Sequence, residues 1–132
     1  MANISVVIPI YNEEKSIHML IKKLMKLKAE PRIDNLEVFF INDGSKDKSL
    51  ETIRENIQAH KDFKIINLSR NYGQTAAIAA GIDNASNDII ITMDGDLQND
   101  PDDIPKLLMK LDEGFDVVSG WRKNRKDDFL TK

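Results

Sequence analysis

The sequence predicts an α/β fold with a mainly parallel sheet. Short, continuous apolar runs rich in β-branched residues alternate with amphipathic helical patterns, and such runs are typical of strands covered on both faces. The runs begin near residues 4, 36, 63, 88 and 115, and steps of roughly 25–32 residues are typical of repeated βαβ units. We therefore expect one domain whose helices lie against a parallel sheet.

The strands and the first two helices follow from their hydrophobic patterns. Apolar residues recur at about every 3.6 positions between residues 17 and 27, which predicts the first helix. Leu50, Ile53 and Ile57 show the same period in the second helix. The strands are expected at residues 4–10, 36–42, 63–69, 88–94 and 115–120.

The third and fourth helices have different signals. Residues 73–85 are rich in alanine and other small residues, which let a helix pack closely on a sheet. Asp100 is expected to cap the fourth helix with Pro101 in its first turn, and Gly114 is expected to end that helix.

The composition narrows the functional class. Apolar residues make up 41% of the chain and charged residues 31%, so neither a disordered tail nor a membrane span is expected. A net charge of -3 argues against nucleic acid as the main partner. The absence of cysteine excludes disulfides and thiolate chemistry. No segment approaches the ~20 apolar residues of a transmembrane helix, so we expect the chain as given to be soluble.

Polar residues gather where the predicted strands end. Open α/β sheets bind ligands beyond the carboxyl ends of their strands, so we expect these residues to lie along one functional edge. In chain order they are Pro9 to Glu13, Asn42 to Ser45, Ser69 to Asn71, Asp94 to Asp96, and Gly120 to Arg122.

The segment after the fourth predicted strand carries two carboxylates. Asp94 and Asp96 are separated by Gly95, which leaves a ligand room to approach the backbone. In an extended segment both side chains point the same way, and Gln98 is expected on the same side. Carboxylates this close repel unless a cation lies between them, and oxygen ligands suit Mg²⁺ or Mn²⁺. Alternatively, both acids decorate a loop, although Asp100 already serves as the next helix cap.

The other strand ends allow two interpretations each. Asp43 either forms an Asx turn, with Ser45 or Asp47 capping the second helix, or accepts a hydrogen bond from a base or ribose. Asn12 is expected to cap the first helix.

Ligand contact is the second interpretation of the remaining strand-end residues. It places Tyr11 against a base and Glu13 on a ribose hydroxyl. Arg122 and Arg125 suit phosphate oxygens, but they also fit a solvated basic face, as does Arg70.

In combination, these motifs resemble family 2 glycosyltransferases with the GT-A fold, a Rossmann-like α/β/α sandwich. The likeness is greatest to the polyprenyl-phosphate and dolichol-phosphate sugar transferase branch, and it covers nearly the whole chain. The motifs that carry it are "VVIPIYNEE", "FFINDGSKDKS", "LSRNYGQTAAIAAGIDNA", "ITMDGDLQNDPDDIPKLL" and "DVVSGWRKNRKD".

The resemblance implies that residues 1–132 are the nucleotide-sugar-binding part of a truncated catalytic domain. The remainder, with any membrane helices, would follow, and the full-length protein would lie at the cytoplasmic side of the membrane. The nucleotide-binding residues that it implies are Pro9, Tyr11, Asn12, Glu13, Asp43, Asp94, Arg122 and Arg125. It also implies Asp94, Asp96 and Gln98 as ligands of Mg²⁺ or Mn²⁺, and Asp96, Asp94 and Arg122 as the catalytic residues.

The implied reaction is inverting transfer of a sugar from a UDP- or GDP-sugar to a polyprenyl phosphate, assisted by a divalent metal. The sequence contains no convincing catalytic base, which fits a phosphate acceptor and equally fits a base outside this chain. A family 2 enzyme with a hydroxyl acceptor, in polysaccharide or cell-surface glycan synthesis, is the alternative. A receiver-like phosphate-binding module is a third interpretation, although its acidic pair after the first strand is poorly supplied by "PIYNEE".

Overall fold

The computed structural model describes residues 2–97 and 100–112, and within these residues it confirms the α/β architecture. The predicted strand at 115–120 and the predicted helix end at Gly114 lie outside the described residues. The strands are β1 (Ala2–Ile10), β2 (Ile33–Asn42), β3 (Phe63–Asn67) and β4 (Ile89–Thr92). The helices are α1 (Glu14–Leu27), α2 (Ser49–Ile57), α3 (Gln74–Asn84) and α4 (Ile104–Asp112), with a 3₁₀ turn at Pro101–Asp103.

Two strands end earlier than their apolar runs predict. β3 stops at Asn67 and β4 at Thr92. The runs continue because the next apolar side chains fill the core: Leu68 packs against one core cluster and Met93 is buried in another. The length of these apolar runs therefore reflects how many residues are buried, and it overestimates the length of the hydrogen-bonded strand.

The described strands form one parallel sheet in the order β3-β2-β1-β4. The chain places β2 and β3 on one side of β1 and then returns to place β4 on the other side. The strand order therefore reverses between β1 and β4. In open parallel sheets such a reversal opens a crevice at the carboxyl ends of the strands, where ligands bind.

The side chains of the central strands alternate between two helical layers. Ile4, Val6 and Ile8 of β1 belong to the large core cluster that also contains buried residues of α1, α2 and α4. Val7 points to the opposite face, where it joins a smaller cluster with Ala77 of α3. This period of two is the strand geometry that buries both faces of a sheet. Among the described helices, none is long and apolar enough to cross a membrane.

Helix α3 lies very close to the sheet, as its small residues predict. A Cβ atom added to Gly81 would stand 2.3 Å from Val7 Cγ1 and 2.9 Å from Ile41 Cδ1. No side chain fits in that space. The helix therefore depends on glycine at this position for its distance from the sheet.

A buried carboxylate joins the strands at the end of the sheet opposite the carboxyl edge. Glu37 of β2 is 6% exposed, and it accepts hydrogen bonds from Ser5 Oγ at 2.7 Å, Ser86 N at 2.9 Å and Lys64 Nζ at 3.0 Å. Burial alone would raise the pKa of Glu37, but the hydrogen bonds from Ser86, Ser5 and Lys64 and the charge of Lys64 outweigh it. The pKa of this carboxyl therefore lies below its ordinary value. Glu37 of β2 therefore links β1, β3 and the loop before β4 through hydrogen bonds.

Candidate functional site

A cleft of about 400 Å³ opens at the carboxyl ends of the strands. Each of the four described strands contributes the segment that follows it, and the cleft lies at the reversal between β1 and β4. This is the edge at which the sequence predicted a site. The lining residues are Pro9, Ile10, Tyr11, Glu13, Asp43, Asn71, Gly73, Gln74, Asp94, Gly95 and Asp96.

Most of the predicted site residues within the described part of the chain meet in this cleft. They are Pro9, Tyr11, Glu13, Asp43, Asp94 and Asp96. Asn12 is directed elsewhere, and Gln98, Arg122 and Arg125 lie outside the described residues. Arg70, whose role the sequence left open, stacks over the Tyr72 ring at 5.0 Å from its centroid.

The expectation that Asn12 caps helix α1 is wrong. The cap position belongs to Glu13, which makes no side-chain cap hydrogen bond. Asn12 has a φ of 53°, a left-handed backbone that asparagine tolerates better than most residues. Its Oδ1 accepts a hydrogen bond from the Lys46 N–H at 2.8 Å. A partner from another loop has replaced the local cap that the sequence suggests.

Helix α1 is instead capped by side chains from the loop before α2 and from the first residue of α2. The backbone N–H groups of residues 12, 13 and 14 donate to Ser45 Oγ at 3.0 Å, Ser49 Oγ at 2.8 Å and Asp47 Oδ2 at 3.2 Å, respectively. The other oxygen of Asp47 accepts from the Ser49 N–H at 2.9 Å. Asp47 therefore satisfies the first N–H of α2, although the cap position itself belongs to Lys48. In dinucleotide-binding folds the corresponding helix N-terminus receives the pyrophosphate. Here those N–H groups are already engaged.

The first interpretation of Asp43, an Asx turn, is wrong, because the Ser45 N–H donates to Asn42 Oδ1 at 3.2 Å. The second interpretation, a hydrogen bond from a base or ribose to Asp43, stays a prediction. The Asp43 carboxylate is buried and accepts from the Tyr72 N–H at 2.7 Å on Oδ1. Oδ2 accepts from the Gly73 N–H at 3.0 Å and from Asn71 Nδ2 at 3.0 Å. A carboxylate offers about four acceptor positions. With these three donors from the described residues, Oδ1 retains capacity for one further hydrogen bond, and Asp43 also lines the cleft.

The turn after β2 packs tightly on the segment after β3. Gly44 has a φ of 73°, and a Cβ atom there would lie 2.5 Å from the Asn71 nitrogen and 2.6 Å from the Arg70 carbonyl carbon. Glycine is therefore required both for the backbone conformation and for the close approach.

Asn71, Gly73 and Gln74 line the cleft from the segment after β3. The sequence placed Asn71 on the functional edge without giving it a ligand role, and it did not include Gly73 and Gln74. Gln74 Nε2 donates to Asp94 Oδ1 at 3.2 Å. The signal that could have found Gly73 and Gln74 is their position, because they lie in the segment that follows a parallel strand.

Of the two aspartates after β4, Asp96 lies in a turn with Gly95, and Asp94 directly precedes that turn. Since β4 ends at Thr92, the expectation of an extended segment with alternating side chains is wrong, although both carboxylates line the cleft. A Cβ atom on Gly95 would stand 2.5 Å from Ile10 Cδ1, so a larger residue here would displace the end of the Ile10 side chain. Leu97 has a φ of 67° and packs against the large core cluster.

Negative charge is concentrated on one side of the cleft. The pKa of Glu13 is raised by burial and then by the carboxylates of Asp96, Asp94 and Asp47. Such repulsion is relieved by a cation, and oxygen donors of this kind suit Mg²⁺ or Mn²⁺. In residues 2–97 and 100–112, no three acidic or histidine side chains gather closely enough to form a complete metal site. A metal here would need ligand or water oxygens, as Mg²⁺ usually does.

The fold and cleft define an α/β domain with an open cleft at a topological switch point, next to a pair of carboxylates. A family model described as glycosyl transferase family 2 matches residues 5–132. The chain belongs to this family, which confirms the resemblance and removes the receiver-like interpretation.

Among curated proteins, this chain is similar to the undecaprenyl-phosphate 4-deoxy-4-formamido-L-arabinose transferase of Salmonella choleraesuis. The two are 46% identical over 130 residues, which cover 98% of this chain and 39% of the relative. The chain therefore spans well under half the length of the curated relatives that it matches.

Solved glycosyltransferase structures confirm the predicted GT-A fold. Staphylococcus aureus TarS 1-349 in complex with UDP-GlcNAc has a TM-score of 0.67 at 26% identity, covering 84% of this chain and 31% of that one. Glucosyl-3-phosphoglycerate synthase from Mycobacterium tuberculosis, in complex with Mn²⁺, UDP and glucosyl-3-phosphoglycerate, has a TM-score of 0.65 at 22% identity. It covers 83% of this chain and 39% of that one.

Proposed function

We propose that this chain is the donor-binding part of an inverting glycosyltransferase that transfers a sugar from a nucleotide diphosphate sugar to a polyprenyl phosphate. The observation that carries the proposal is the cleft at the β1–β4 reversal, where Asp94 and Asp96 lie beside Glu13 and Asp43. The similarity to an undecaprenyl-phosphate sugar transferase supports the choice of acceptor. At full length, the protein would act at the cytoplasmic face of the membrane that contains this lipid.

The nucleoside would bind at the β1 and β2 side of the cleft. Pro9, Tyr11 and Glu13 line that side, and Tyr11 is 42% exposed, so its ring is accessible for stacking on a base. Asn12 would support this loop through its bond to Lys46.

Uridine is the base that Asp43 suits best. Oδ1 of Asp43 retains capacity for one hydrogen bond, which matches the single N3–H of uracil. Guanine presents two adjacent donors, and these would need both carboxylate oxygens, whereas Oδ2 already accepts two hydrogen bonds. Solved structures similar to this chain include a complex with UDP-GlcNAc and one with GDP-Man, so the choice of uridine rests on Asp43.

The diphosphate would be held through Mg²⁺ or Mn²⁺ bound by Asp94 and Asp96. The start of helix α1 is already capped by Ser45, Asp47 and Ser49, so a diphosphate in this acidic cleft needs another source of positive charge. The bound ion would act as a Lewis acid on the leaving diphosphate. Gln98 is proposed as a further metal ligand, and Arg122 and Arg125 as donors to the diphosphate oxygens.

Transfer to a phosphate acceptor needs no general base on the protein. The second pKa of a phosphate monoester is about 6, so the acceptor is largely dianionic at neutral pH and is already a nucleophile. Attack on the face opposite the departing diphosphate inverts the anomeric carbon. The described residues would orient the donor. Asp94 and Asp96 would hold the cation and Arg122 would donate to the diphosphate, so that positive charge lowers the energy of the departing anion.

Isothermal titration calorimetry of the chain with UDP and GDP, each with and without Mn²⁺, tests the proposal. We expect UDP to bind more tightly than GDP and its affinity to rise with Mn²⁺. Asp96→Ala should abolish that metal-dependent gain. Asp83→Ala is the matched control, because it removes an exposed carboxylate on α3. A wild-type affinity for UDP that does not respond to Mn²⁺, or a full gain in Asp96→Ala, would contradict the assignment.

A further inference from the structure

We propose that Ser16 is a positioning residue for the metal-binding turn, the segment 94–97 that carries the proposed metal ligands Asp94 and Asp96. Ser16 orients this turn through the carbonyl of Gly95. Ser16 lies in the first turn of α1 and is half-buried. Its Oγ donates to the Gly95 carbonyl oxygen at 2.7 Å across a sequence separation of 79 residues. The inference rests on the proposed function, because it concerns the aim of Asp94 and Asp96 at a shared cation.

The Ser16 hydroxyl has two carbonyl oxygens within reach. The oxygen of Glu13 is 3.2 Å away, but it already accepts from the Ser16 N–H at 3.0 Å and the Ile17 N–H at 3.2 Å. The Gly95 oxygen is closer to Oγ, at 2.7 Å compared with 3.2 Å for the Glu13 oxygen. A hydroxyl has one proton to donate, so the bond to Gly95 is the one that it makes.

The peptide plane explains why this bond matters for the carboxylates. The Gly95 carbonyl belongs to the planar unit that continues into the nitrogen and Cα of Asp96. Fixing the direction of the carbonyl therefore fixes where the nitrogen and Cα of Asp96 lie, and with them the starting point of the Asp96 side chain. Glycine at the preceding Cα would otherwise allow this unit to rotate more freely than any other residue would.

Apolar packing against β1 and the core also holds the metal-binding turn. Gly95 lies against Ile10, and Leu97 keeps a left-handed backbone while its side chain is packed against the core. Apolar contacts of this kind determine how closely a turn packs on the core, but they do not determine how its peptide groups are oriented, because the hydrophobic effect is non-directional. The bond from Ser16 adds the directional restraint. Residues that orient metal ligands in this way are usually important for affinity.

Mn²⁺ binding in the presence of UDP, followed by electron paramagnetic resonance of the free ion, tests the inference. Ser16→Ala should weaken Mn²⁺ binding about 10-fold and should leave the affinity for UDP without metal unchanged. Ser16→Thr keeps the hydroxyl and should bind Mn²⁺ as the wild type does. Ser16→Cys keeps the shape but donates weakly, so its affinity should fall between those of the alanine variant and the wild type.

Ser86→Ala is the matched control, because it removes a hydrogen-bonded hydroxyl from the Glu37 cluster at the opposite end of the sheet. Its Mn²⁺ affinity should equal that of the wild type. Wild-type Mn²⁺ affinity in both Ser16→Ala and Ser16→Cys would overturn the inference and leave the proposed function intact. An equal loss of metal-free UDP binding in Ser16→Ala would also overturn it, because that pattern reports a general distortion. A wild-type chain that binds UDP without binding Mn²⁺ would overturn the proposed function itself.

Discussion

The carboxylate of Asp43 accepts a hydrogen bond from the backbone N–H of Tyr72, with 2.7 Å between Oδ1 and N. These residues follow different parallel strands, and the bond holds the segment after β3 against the segment after β2. One buried side chain therefore shapes the cleft wall while it also lines the cleft. A change at this position should affect stability as well as nucleotide binding.

Asp43→Ala should lower the free energy of unfolding by about 3 kcal/mol, because three donors lose their buried acceptor. Urea unfolding followed by circular dichroism measures this loss. Asp43→Asn should lose less of the free energy of unfolding, since one side-chain oxygen still accepts. The free energy of unfolding of the control Asp83→Ala should stay close to that of the wild type. A wild-type urea midpoint for Asp43→Ala would show that these bonds contribute little.

Asp47→Ala should destabilise the chain by about 1–2 kcal/mol, in the range of lost helix caps. The substitution removes the acceptor for the Glu14 N–H at the start of α1 and for the Ser49 N–H at the start of α2. Thermal unfolding of Asp47→Ala and of Glu55→Ala, an exposed α2 residue, provides the comparison. If the two variants unfold at the same temperature, the shared cap is energetically unimportant.

Glu37 should make the stability of the fold depend on pH in the acidic range. Its pKa in the folded state lies below the ordinary 4.5. A lowered folded pKa contributes stability that is fully present above pH 4.5, and this contribution is lost as the pH falls through the folded pKa. At pH 7, Glu37→Gln should be less stable than the wild type by about 2 kcal/mol, because the amide leaves buried donors without an acceptor.

Urea unfolding at pH 7 and at pH values below 4.5 measures this linkage. The stability difference between the wild type and Glu37→Gln should be largest at pH 7 and should narrow as the pH falls. Glu55→Gln, which changes an exposed glutamate, should show no such narrowing. A difference that is constant with pH would mean that the charge of Glu37 does not contribute.

Gly81→Ala should destabilise the chain even though alanine is the better helix former by about 1 kcal/mol. The added methyl group meets Val7 at 2.3 Å and Ile41 at 2.9 Å, and overpacking of this kind costs about 1–3 kcal/mol. Combining it with Val7→Ala should give a loss smaller than the sum of the two single losses, because Val7→Ala makes room. A higher melting temperature for Gly81→Ala would rule out the steric explanation.

The fold was largely predictable because its signals are local and repeated. The apolar runs and their even spacing predicted the four described strands, and helical periods predicted α1 and α2. Small residues predicted α3, and capping signals predicted α4. Asp100 also caps the 3₁₀ turn before α4 as expected, accepting from the Asp102 N–H at 2.9 Å. The ends of β3 and β4 were less predictable, because buried apolar residues continue past the last paired one.

The sequence by itself determined the α/β class, the family, and the edge at which Asp43, Asp94 and Asp96 lie, because strand ends in a parallel sheet share one side. The tertiary structure alone decided how these groups are held. Capping of α1 by the α2 loop, the three donors on Asp43, and the contact of Ser16 with Gly95 join residues from different loops. No local pattern encodes such contacts, because they exist only once the strands have brought the loops together.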